Sequence, residues 1–246
     1  MSEIKRLRVF AGPNGSGKST LFESFKSNHN PGIFINSDLV EKDILEKGFI
    51  DLKSFGLTLT QDDLINFLQK PNSISLLEKT ADIGHRIDIE IVENIIVDKS
   101  GDTHSYEAAL ATSFLRENLL KNSISFSFES VLSHFSKIDE IIEAKALGYK
   151  IYLYFICLDS PKINISRVRN RVLKGGHNVD SDKIISRYHN TLQNLLPVLK
   201  LSDRAYLFDN SNEMILIAEL DEHELKIKVE SEQFPNWFTE YVINKI

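Results

Sequence analysis

A five-stranded parallel α/β sheet covered by helices, with a helical insertion and a C-terminal β-hairpin, is the fold class that this sequence predicts. Three observations predict it. Short apolar runs alternate with helix-period segments along most of the 246 residues. The longest apolar run, Tyr149–Leu158, reads as a strand buried on both faces, as parallel sheets require. Finally, the strand-like runs end in polar residues (Asp38, Glu129, Asp159, Asp209), where open α/β sheets place their ligands.

The elements follow in order. Leu7–Ala11 is a first strand, and Leu21-Phe22 opens a helix after the glycine-rich stretch between them. Gly32–Asn36 is a second strand, and Leu39 to about Ile50 is helical. Thr60–Asp63 has the form of a capping box, and Pro71 stops the helix that it starts. Residues 51–104 are longer than a strand–helix connection needs, so they form the insertion. Within it Ser73–Asp82 reads as helix; Ile87–Val97 alternates like a strand at first, then carries paired apolar residues like a helix and leans to helix, with a loop at Lys99–Asp102. Ser105–Lys121 is helical, Ile124–Phe128 is the third strand, and Tyr149–Leu158 is the fourth. Ser160-Pro161 starts a helix with its N-cap and N1 proline in their preferred places. After a helix over 182–200, Ala205–Phe208 is the fifth strand. Met214–Leu220 and Glu224–Val229, around Asp221-Glu-His223, form the hairpin. The domain division expected is 1–211, with 167–190 as a lid, followed by a hairpin appendix over 212–246.

The stretch Gly12-Pro13-Asn14-Gly15-Ser16-Gly17-Lys18-Ser19-Thr20 fits G-x-x-x-x-G-K-[ST] without a mismatch and has the strand before it and the helix after it. Glycines let backbone amides curl round an anion, and the helix that follows adds unpaired N–H groups and a positive dipole end. Such a loop binds a nucleoside triphosphate. Lys18 is placed to reach the β- and γ-phosphates, and Ser19 to offer its hydroxyl to Mg²⁺. The guanine-reading Asn/Thr-Lys-x-Asp tetrapeptide is missing, which favours ATP over GTP. The apolar run ending in Asp-Glu of motor ATPases is missing too, because the third strand ends Phe-Ser-Phe-Glu-Ser.

Composition narrows the class further. A net charge of −6 argues against a surface built for long nucleic acids. The single cysteine, Cys157, lies in an apolar run and reads as an inert buried thiol. The first residues lack the apolar stretch of a signal peptide, and no run approaches a membrane span, so a cytoplasmic setting is expected. Charge is unevenly spread: Lys162–Arg187 holds seven Lys/Arg and two acids, Asp180 and Asp182. Arg167 and Arg171 share a helical face and Arg169 points elsewhere; Gly175-Gly176 supplies a hinge, and Arg187 lies on the returning helix. This is the layout of a lid that closes over phosphates, and surface salt bridges are the plainer alternative. Asp38 is placed to accept a proton from an attacking hydroxyl or to cap the next helix. His177 reads as a loop-ordering residue.

The chain resembles the zeta-toxin-type P-loop kinases, in particular their predicted-ATPase branch. The resemblance rests on Gly12–Thr20, Ile35–Asp38, Phe128–Ser133, Leu147–Tyr149, Arg167–Val179, Arg187-Tyr188, Asp209–Ser211 and Pro235–Trp237. It implies a P-loop kinase-type sheet and phosphotransfer from Mg-ATP to a hydroxyl of a small molecule, with UDP-N-acetylglucosamine as the zeta-type acceptor and a small antitoxin as partner. By the same analogy Asp38 is the base and Glu129 holds the acceptor. Lys18, Arg171 and Arg187 grip the phosphates, while Arg167 and Asp209–Ser211 lie nearer the adenosine. The pattern departs at Asp180, where the branch has Pro, and at Ser130, where it often has Thr; residues 51–104 have no counterpart. Two other readings stay open: an ATP-binding switch acting on a protein partner, and a kinase for a nucleic-acid end, which the acidity disfavours.

Overall fold

The computed structural model describes residues 4–101, 105–176, 178–222 and 224–246; Asp102, His177 and His223, singled out above, lie outside the described residues. In chain order the first elements are β1 (Arg6–Ala11), α1 (Lys18–Asn28), β2 (Ile33–Ile35), α2 (Ser37–Lys47) and β3 (Phe49–Asp51). Next come α3 (Gln61–Leu68), α4 (Pro71–Asp82), β4 (Ile89–Val92), β5 (Ile95–Asp98), α5 (Ser105–Lys121) and β6 (Phe126–Ser130). The remainder is α6 (Ser136–Ala146), β7 (Lys150–Cys157), α7 (Pro161–Val172), α8 (Ser181–Leu201), β8 (Arg204–Asp209), β9 (Ile215–Asp221), β10 (Glu224–Ile227) and α9 (Asn236–Tyr241). The chain forms two compact units, Met1–Gly32 with Ser127–Ile246, and Ile33–Phe126.

The main sheet has seven strands, not the five expected. In the first unit the order is β10-β9-β8-β7-β1-β6, and the seventh strand is β2, with which the second unit opens. β7 runs parallel to both β1 and β8, as the alternation of strands and helices requires. The extra strands are the C-terminal hairpin. β9 pairs antiparallel with β8 and β10 with β9, so the hairpin continues the sheet. The physical reason is the open edge of β8, whose backbone groups need partners.

Burial along β7 corrects a second expectation. Phe155–Leu158 is buried on both faces, but Tyr152 and Tyr154 are only half-buried. Their face carries a cross-strand aromatic ladder: Phe10 stacks on Tyr154 at 4.8 Å, and Tyr154 on Tyr206 at 5.1 Å. Burial raises the Tyr154 hydroxyl to a pKa of about 12. Cys157 is buried, and the same desolvation pushes its thiol far up, which fits an inert group. Val9, Leu153, Phe155, Leu195, Leu207 and Phe238 are fully buried.

The second unit is not purely helical. Phe49–Asp51 is a strand, and β3, β5 and β4 form a three-stranded antiparallel sheet in that order. Residues 87–97, expected to be helical, instead hold the β4–β5 hairpin. Its two turn residues, Glu93 and Asn94, have φ of +48° and +64°, the left-handed pair that matches strand twist. Asn94 also fastens the neighbouring loop: its side chain accepts from Leu59 N at 2.9 Å and donates to the Leu57 carbonyl at 3.0 Å. Pro71, expected as a helix stop, is also the N1 residue of α4. No helix among the described residues is long and apolar enough to cross a membrane.

Candidate functional site

The loop between β1 and α1 is held by its carbonyls. Asn164 on α7 donates to the Asn14 carbonyl at 2.6 Å, and Asn210, after β8, donates to the Ser16 carbonyl at 2.8 Å. Ser16 N and Lys18 Nζ both donate to the Pro13 carbonyl, at 3.2 and 3.0 Å, and Gly12 N donates to the Ser130 carbonyl at 3.3 Å. With its carbonyls tied to the scaffold, the loop presents its amide edge to a ligand. Gly17 caps α1 in the left-handed region, with no side-chain cap and no acid in the first turn. The first turn of α1 is therefore left open to an anion.

Two glycines are sterically required. A Cβ on Gly12, at φ +152°, would stand 2.0 Å from the Ile156 carbonyl oxygen. One on Gly17, at φ +108°, would meet Asn210 Nδ2 at 2.5 Å. Around the loop three buried polar atoms, Asn14 Oδ1, Ser16 Oγ and Asn164 Oδ1, have no hydrogen-bond partner among the described residues. Each such atom costs about 1–3 kcal/mol, an arrangement that makes sense where a ligand or water completes the set.

Of the residues singled out in the sequence, Lys18, Ser19 and Glu129 come together. Lys18 is 7% exposed, and its Nζ lies 3.8 Å from Glu129 Oε1. The Ser19 hydroxyl donates to the same carboxylate, at 3.1 Å to Oε2 and 3.4 Å to Oε1. A hydroxyl and a carboxylate side by side form an all-oxygen donor set, which suits Mg²⁺. Thr20, next along α1, is exposed. Arg167 also reaches the site: its guanidinium donates to the Asn210 carbonyl at 2.7 Å, and its Cβ lies under Gly15.

The remaining arginines lie farther along the helices. Arg171, near the end of α7, is exposed and packs against Gly176, whose amide returns to the Arg171 carbonyl at 3.0 Å. Arg187 is half-buried on α8. Asp38 belongs to the second unit and does not cap its helix. The N-cap of α2 is Asn36, whose side chain accepts from Asp38 N at 2.8 Å and Leu39 N at 3.2 Å. Asp38 is thus an exposed first-turn carboxylate, and the capping alternative fails.

Sequence reasoning missed Asn164. It is a fully buried amide on the first turns of α7, four residues before the buried Val168. A polar residue on the apolar stripe of a helix was the available signal.

No family model matches the chain. An uncharacterized protein of Haemophilus influenzae is 36% identical over 69 residues, which is 28% of this chain and 49% of that protein. The solved complex AvrRxo1-ORF1:AvrRxo1-ORF2 with sulphate ions aligns over 92% of this chain at a TM-score of 0.55 and 17% identity. A structure from the PezAT chromosomal toxin-antitoxin system of Streptococcus pneumoniae aligns over all of this chain and 81% of its own, at a TM-score of 0.49 and 13% identity. The chain spans about half of the curated relative and 62% of the AvrRxo1 chain. The likeness is one of fold: a mixed α/β chain with a largely parallel sheet flanked by helices.

Proposed function

We propose that the protein is a Mg²⁺/ATP-dependent phosphotransferase that moves the γ-phosphate of ATP to a hydroxyl of a small molecule. One observation carries the reading: Lys18, Ser19 and Glu129 meet at the open first turn of α1, beneath a loop whose carbonyls are pinned away. Phosphoryl transfer needs positioning and charge neutralisation more than covalent help. Lys18 and the loop amides would grip the β- and γ-phosphates. Ser19 and Glu129 would hold Mg²⁺, which when bound neutralises phosphate charge. The family resemblance gives Glu129 a contact with the acceptor; its two oxygens allow both tasks. Arg167, Arg171 and Arg187 would close over the phosphates and the adenosine. Asp38, exposed after β2, is the proposed base for the acceptor hydroxyl.

A UDP-amino sugar is the proposed acceptor, on the zeta-type resemblance alone. A small protein partner of antitoxin type is proposed as well, supported by the two-component complex among the structural neighbours. Purified protein with Mg²⁺ and γ-labelled ATP is expected to label one component of a small-metabolite extract, and UDP-sugars are the first pure acceptors to try. Asp38→Asn is expected to cut transfer by about 100-fold or more while ATP binding persists. Normal transfer by Asp38→Asn would remove the base assignment. ATP binding with no acceptor labelled would favour a switch that acts on a protein.

A further inference from the structure

The loop after β8 faces two ways. On one side Asn210 holds the phosphate loop through the Ser16 carbonyl and receives Arg167 at its own carbonyl. On the other side its neighbours are held by the C-terminal segment. The Trp237 indole, 1% exposed, donates Nε1–H to Asp209 Oδ1 at 2.9 Å. The two oxygens of Asp209 also receive Ser211 N at 2.9 Å and Ser211 Oγ at 3.0 Å. Ser211 Oγ in turn accepts from Asp159 N at 2.8 Å, and the Asp159 carboxylate takes both the backbone and side-chain amides of Asn236, at 2.5 and 2.7 Å. Asp209 is 7% exposed, so these are bonds to a desolvated carboxylate, the stronger kind. The residues on either side of Asn210 are therefore fixed by α9, more than twenty positions along the chain.

We propose that Trp237 is a positioning residue of the nucleotide site, acting through Asp209 on the Asn210 side chain that holds the phosphate loop. This rests on the nucleotide reading above and adds the C-terminal helix to the machinery. Without the indole N–H, Asp209 loses a donor that orients it, the 209–211 turn loosens, and Asn210 releases the Ser16 carbonyl for part of the time. The loop then presents its amides in more than one arrangement, which weakens phosphate binding without removing any phosphate contact.

Two measurements test this on the full chain. Amide hydrogen exchange without nucleotide is expected to speed up at least threefold over Gly12–Ser19 in Trp237→Phe, with β1 and β7 protection unchanged. A merely structural defect would raise exchange in the strands equally, and that result would overturn the proposal. Asn210→Ala cuts the link at its other end, so it should show the same local signature even if Trp237→Phe folds poorly. Binding of a fluorescent ATP analogue with Mg²⁺ is expected to weaken about 3- to 10-fold in each single variant, and the double variant should bind no worse than Asn210→Ala. Losses that multiply would show the two residues to be independent and sink the coupling. If the wild type does not bind the analogue, the nucleotide reading fails, while the exchange data still decide whether Trp237 holds the loop.

Discussion

A methyl group on Gly12 would stand 2.0 Å from the Ile156 carbonyl oxygen at a φ of +152°, so neither the space nor the backbone admits a side chain there. Because the obstacle is strand backbone, it cannot rotate aside. Gly12→Ala is expected to cost about 2–4 kcal/mol, read as a drop of roughly 5–15 °C in a thermal melt, and to abolish the nucleotide binding proposed above. An unchanged melting temperature would show that β7 gives way more easily than packed backbone should. Lys18, Ser19 and Glu129 illustrate the other side of the residue scale. Each was legible from sequence position, but their meeting at one carboxylate was not, since 110 residues separate Ser19 from Glu129.

Among the elements, the β4–β5 hairpin was misread as helix. Ile89-Glu-Ile-Val followed by Ile95-Ile-Val carries paired apolar residues that a helix also shows, and no glycine marks the turn. Two signals were present: the alternation of Ile87-Asp-Ile-Glu-Ile91, and Asn94, because asparagine enters the left-handed region more readily than most residues. Asn94→Ala removes its bonds to Leu57 and Leu59 and puts a less suited residue at φ +64°. A loss of about 1–3 kcal/mol is expected in denaturant titration, with no effect on the isolated phosphate-loop geometry. The strands flanking the loop were legible because their apolar runs are short and bounded. The sheet's extension by β9 and β10 was not, because a hairpin's own sequence does not say which edge it will join.

For the molecule as a whole, the end of the sheet opposite the site supplies a pH-dependent term. Burial pushes the Asp203 carboxyl up, but the Ile151 amide and the ammonium groups of Lys145 and Lys150 outweigh it and leave its pKa below the ordinary 3.8. The bonds are 2.8 Å to Ile151 N and 3.0 Å to each lysine. A depressed folded pKa means that this contribution is complete above pH 3.8 and is lost as the pH falls through the folded value. Acid unfolding of Asp203→Asn should therefore be flatter below pH 4 than that of the wild type, with lower stability at neutral pH. Parallel acid curves for the two proteins would contradict the assignment. Trp237 has a consequence of another kind. It is the one tryptophan in the chain, sealed in the core and bonded to Asp209. All indole emission thus comes from a single point, bonded to the residue next to Asn210. A change in its colour or lifetime can be traced to one address, and the protein carries its own optical gauge with no label attached.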